Sequence, residues 1–289
     1  MTIPEYYLIG GKDDRRENIL KLSAEDIRTI EGACSALYRF GYYDKREIEI
    51  QENLKEFIKV YDIAEQDITI KTEDELSQGL FNTIFININR TFTNYLASYK
   101  IQIDHFDFHL KNKYGEDSEE YKKFEAHKKA TYDANFTHRL FYHLRNYSQH
   151  VFFPLNSIVK DSIKDGSGFR HLMLVSFDKN KLLENDYISK KLGPDLKKCG
   201  DFIPVKVHIE NSKRILEDIY KKYLIIEKPS LLRDVDILNK YTSIVPVGLE
   251  PLYGYWERPT PTTGVCRTTI LPVDLIIKLE TRLGELGLK

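Results

Sequence analysis

The chain has 289 residues, of which 42% are hydrophobic and 30% charged, and a formal net charge of −1. With 19 Tyr and 15 Phe available to fill a core, that balance excludes a mainly disordered chain. A near-neutral total also excludes a wholly cationic nucleic-acid binder, so any phosphate partner must be met by local Lys/Arg clusters. No apolar run approaches the roughly 18 residues of a membrane helix, and residues 1–18 lack the basic-then-apolar order of a secretory signal. Cys34, Cys199 and Cys266 are odd in number and far apart, which fits neither a disulfide framework nor a paired-cysteine zinc site. The expectation is a cytoplasmic protein with reduced thiols and no membrane partner.

In chain order, residues 42–50 are rich in β-formers and predict a strand, and 52–62 predict a short helix. Leu80, Ile84, Ile88, Phe92, Leu96, Tyr99, Ile103, Phe106 and Leu110 recur in steps of three and four. They define one face of a helix over 77–112, roughly 50 Å long. Gly115 supplies its stop, and Asp117 with Glu120 offers a capping box for the next element. That element runs over 118–150 with a stripe of Tyr121, Phe124, Tyr132, Phe136, Leu140, Leu144 and Tyr147, weakened by a polar turn at Lys128 and Lys129. Pro154 disfavours helix at Phe153 and closes it. Two long helices joined by a tight glycine turn should lie antiparallel.

Beyond the hairpin, 165–168 predict a turn, 169–177 a strand, and 179–198 a partly helical stretch. Pro204 opens a helix to about 224, with Ile209, Ile215, Leu216 and Ile219 on its apolar side. Residues 245–263 are dense in Pro, Gly and aromatics and predict ordered loop, and 272–286 a closing helix. The fold class expected is mainly α, with a helical hairpin core at 76–160. A mixed α/β flank at 1–75 and a helical, loop-rich region at 161–289 complete it, with minor β content in the flanks.

The chemistry concentrates at the end of the second long helix. Arg145-Asn146 is followed by His150 five positions after the arginine. An imidazole can act as general acid or base near neutral pH. A guanidinium can hold a phosphate bidentately and stabilise charge on a pentacoordinate phosphorus. The neighbouring amide can orient either group. In a straight helix, positions five apart diverge by roughly 140°. Arg145 and His150 therefore share a site only if the helix frays near Pro154 or a second protomer completes it.

Arg-polar-x-x-x-His at the end of a helical hairpin resembles the signature of the HEPN superfamily, usually written R-x(4–6)-H. The wider string Phe136-x-x-Arg139-x-x-Tyr142-x-Leu144-Arg145-Asn146-Tyr147-x-x-His150, with Pro154 behind it, is similar to a branch of bacterial HEPN proteins. The likeness covers residues 77–160 well and the flanks poorly. It implies a HEPN-like helical bundle and a metal-independent RNA endonuclease acting at a two-fold homodimer interface. Arg145, Asn146 and His150 would be catalytic, with no cofactor and no metal. It further implies 2′-hydroxyl transesterification, giving a 2′,3′-cyclic phosphate and a 5′-hydroxyl. Toxin–antitoxin or antiphage-defence systems are the implied setting, with an antitoxin or defence protein as partner. A non-catalytic HEPN-like module that grips RNA or protein is the alternative.

His138 and His143 flank the motif and could contact RNA, as could Lys128 and Lys129, although charge runs on helices are usually solvated faces. His105 and His109 have metal-compatible spacing on the first long helix, but His-Phe-Asp-Phe-His lacks a zincin's glutamate and reads as a polar face.

Overall fold

The computed structural model describes residues 5–12, 15–70, 77–165, 168–249, 254–257 and 267–288. The strands among them are β1 (Tyr6–Lys12), β2 (Arg15–Leu22), β3 (Ser157–Asp165), β4 (Gly168–Asp178), β5 (Phe202–Pro204), β6 (Gly254–Glu257) and β7 (Arg267–Ile270). The helices are α1 (Ala24–Ile70), α2 (Gln78–Tyr114), α3 (Glu119–Ala134), α4 (Phe136–His150), α5 (Lys179–Leu183), α6 (Asp186–Leu196), α7 (Val205–Thr242) and α8 (Val273–Glu285). The fold is mainly α with minor antiparallel sheets. It divides into two compact units, residues 1–45 with 224–289, and residues 46–223. The chain thus groups its two ends together, where the sequence alone suggests three consecutive segments.

The terminal unit carries an antiparallel sheet in the order β2-β1-β6-β7. Ser23 caps α1: its hydroxyl accepts from the Asp26 amide at 3.1 Å, and its own amide donates to Asp26 Oδ2 at 2.9 Å. Tyr241 also donates to Asp26, and these bonds hold its carboxyl down at about 2. Asp44 is fully buried and pairs with Lys278 at 2.5 Å and Arg282 at 3.0 Å. At Gly41 a Cβ would meet Leu275 at 2.9 Å, so glycine there lets α8 seat closely.

In the central unit, β3-β4-β5 form a small antiparallel sheet. Helix α2 starts on Ser77, whose hydroxyl accepts from the Leu80 amide, and ends at Gly115 with φ 91°. The return arm runs antiparallel to α2. Its cross-contacts step down one arm as they step up the other, pairing Asp107 with Tyr121, Tyr99 with His138, and Asn89 with Leu155. Phe92, Tyr95, Tyr99 and Phe141 meet edge-on in the core between these helices.

Several elements differ from the sequence expectations. Residues 42–50 are helix, and 52–62 continue it, because Tyr43, Glu47, Ile50, Leu54, Phe57, Tyr61, Ala64 and Ile68 are buried at helical spacing within the 47-residue α1. Ser118, and not Asp117, caps α3, accepting from the Tyr121 amide. The element over 118–150 is two helices, broken at Asn135, whose φ −117° and ψ 109° are extended. Arg139 explains the break. It donates to the carbonyls of Tyr132 and Asp133 that the end of α3 leaves open, and to Asp195 at 2.8 Å. The helix after Pro204 continues to Thr242. Of the expected turn at 165–168, residues 166–167 lie outside the described residues, as do 250–253 and 258–263 of the expected loop. Within that loop, 254–257 form β6.

Candidate functional site

The motif residues end α4. Tyr147 faces the core, and its carbonyl accepts from the Val151 amide at 2.9 Å, which ends the helix four residues before Pro154. Arg145 is half-buried, and its Nη1 donates to Asn146 Oδ1 at 3.3 Å. Its Nε is buried and, among the described residues, has no hydrogen-bond acceptor. His150 is the last residue of the helix and is exposed. Exposed Val151, Phe152 and Phe153 follow it, with Phe153 edge-on against Phe85. Asn89, fully buried on α2, accepts from the Leu155 amide at 2.9 Å and donates to its carbonyl at 2.8 Å, which fixes the chain beyond the motif.

The four residues named as possible RNA contacts come together away from the motif. His138, His143, Lys128 and Lys129 line one cavity of about 420 Å³, with Tyr99, Lys100, Tyr132, Tyr142 and Lys191 also in its walls. Both histidines belong to those walls and are not free to meet a phosphate. They are only 2% and 4% exposed, and burial pushes each imidazole down to about 4, so both are neutral near pH 7. His138 Nδ1 bonds Tyr99 Oη at 2.7 Å. His143 spends both ring nitrogens on tyrosines, Nδ1 on Tyr187 and Nε2 on Tyr132, each at 2.8 Å. Lys128 pairs with Asp107, and Lys129 is exposed.

A hydrogen-bond chain connects the motif to this cavity. Arg145 donates to the Asn146 carbonyl oxygen, and Asn146 Nδ2 donates to Tyr187 Oη at 3.0 Å. The same Tyr187 hydroxyl hydrogen-bonds His143 Nδ1 at 2.8 Å. The other nitrogen of this neutral ring, Nε2, bonds the Tyr132 hydroxyl, so one tyrosine donates to the imidazole and the other accepts from it. Tyr187 and Asn89 had no marker in the sequence, since each acts through polar contacts with residues more than 40 positions away.

Among the described residues no three His, Cys, Asp or Glu side chains converge as a bound metal would require. His109 is buried edge-on against Tyr223. No described helix is long and apolar enough to cross a membrane. No family model, curated protein or solved structure matches the chain.

Proposed function

We propose that the protein is a metal-independent endoribonuclease of toxin or antiphage-defence type, acting as a homodimer. What carries the reading is the end of α4, where Arg145, Asn146 and the exposed His150 stand beside the exposed apolar run Val151-Phe152-Phe153. A contiguous apolar strip next to a polar motif is what a partner surface needs. A second copy docked there would bring both motifs into one cleft, which answers the divergence of Arg145 and His150 on a single helix. The RNA 2′-hydroxyl attacks its own phosphorus, a P–O bond to the 2′-oxygen forms, and the bond to the 5′-oxygen breaks. His150 relays the proton from the entering hydroxyl to the leaving oxygen, and Arg145 stabilises charge on the phosphorane. Asn146, fastened to Tyr187, orients the guanidinium.

The test is His150→Ala assayed on RNA with EDTA present. Wild type should give 2′,3′-cyclic phosphate ends, spare DNA, and scatter light as a dimer. The variant should lose about 10²–10⁴-fold in rate. Equal cutting by the variant, with matched circular dichroism, would sink the nuclease and leave the non-catalytic RNA- or protein-binding module.

A further inference from the structure

We propose that the cavity between α2, α3, α4 and α6 binds a small phosphomonoester whose organic part carries a ring. The site is distinct from the α4 terminus and does not depend on RNA cleavage there.

The cavity is about 420 Å³, within the range of small-molecule sites and far larger than a phosphate ion needs. Two of its lysines are committed, Lys100 to Asp104 at 2.5 Å and Lys128 to Asp107. Lys129 on α3 and Lys191 on α6 also line it, and among the described residues neither forms an ion pair. Lys191 is close enough to His143 to help hold that ring neutral, after the larger effect of burial. Of the lining carboxylates, Asp104 is neutralised by Lys100, so Glu125 alone opposes these cations.

A phosphomonoester carries between one and two negative charges near pH 7 and offers several strong acceptor oxygens. It matches the two exposed ammonium groups of Lys129 and Lys191, with the Tyr132 hydroxyl also in the wall. The remaining wall supplies the rings of Tyr99 and Tyr142 and the side chain of Ile103. That apolar stretch packs against a flat or cyclic body, beside the Tyr142 ring whose one face carries the Lys100 ammonium at 4.8 Å. Neutral His138 and His143 add no charge that would draw the anion away from the lysines.

Isothermal titration of the full chain would use phenyl phosphate, glucose 6-phosphate and adenosine 5′-monophosphate. Phenol, glucose, adenosine and inorganic phosphate are the paired controls. At least one ester should bind at least tenfold more tightly than its dephosphorylated partner and than inorganic phosphate. Lys129→Ala with Lys191→Ala should weaken it by about tenfold or more, Tyr132→Phe by a few-fold, and Glu125→Gln should tighten it. His150→Ala should leave it unchanged, which separates this site from the nuclease. The proposal fails if no ester binds, if the phosphate makes no difference, if the double lysine variant binds as wild type does, or if only a 5′-phosphorylated RNA strand binds.

Discussion

Helix α4 carries three histidines, and its two ends treat them in opposite ways. His138 and His143 lie under the cavity, buried, neutral and bonded to tyrosines. His150, at the last residue, is exposed. The arginines divide in the same way. Arg139 is occupied with two carbonyls and Asp195, whereas Arg145 has one weak bond to its neighbour and a buried Nε with no acceptor. Residue type therefore says little about role along this helix. Chemistry is available only where bonding is incomplete, and that is its final turn and a half.

The largest effect that tests this contrast comes from the free end. Arg145→Ala should cut RNA cleavage by about 10²–10³-fold by removing stabilisation of the phosphorane. Arg145→Lys should rescue poorly, since an ammonium does not reproduce the planar fork, and both should melt close to wild type. Next in size is the bound end. His143→Leu strands the hydroxyls of Tyr132 and Tyr187 and should cost about 2–4 kcal/mol, read as a lower urea midpoint. If His143→Leu is as stable as wild type, the division of the helix is wrong.

Acid should expose the same difference. His138 and His143 have their basicity lowered from 6.5 to about 4, by burial first. Between those values the unfolded chain takes up protons that the folded chain refuses. Their contribution is thus fully present above about pH 6.5 and is lost as pH falls toward 4. Melting temperature should drop over that window by on the order of 5 °C, and His143→Leu should flatten part of the slope. The smallest effect is that of Tyr187→Phe, which removes one donor and one acceptor from a partly exposed position. It should cost about 1 kcal/mol of stability and change cleavage only through the freedom it gives Asn146.

Helix α2 was legible because its apolar residues alone carry the 3.6-residue period, and Gly115 marks its end without help from elsewhere. Helix α1 was legible only over 52–62, because buried Asp44 and Glu47 interrupt its stripe before that. Most of what lets them be buried lies far along the chain: Lys278 and Arg282 for one, and Gln102, with nearby Gln51, for the other. The break at Asn135 was hidden for a related reason, since the cap for α3 is Arg139 of the following helix. Arg145, Asn146 and His150 could be picked out locally. Which of the nearby polar residues line the cavity depends on Tyr99, Tyr187 and Lys191, and no spacing rule joins those to α4.

Asn89 has a consequence for the motif that its own position on α2 does not suggest. By taking both the amide and the carbonyl of Leu155, it acts on that residue as a strand neighbour would. The stretch from His150 to Pro154 is therefore a short bridge moored at both ends, to the core through Tyr147 and to α2 through Leu155. A tethered bridge has far fewer arrangements to lose when a ligand or second protomer closes over it than a fraying helix end has. If His150 acts as proposed, its exposure comes without the entropy cost that usually accompanies a catalytic group at a helix terminus.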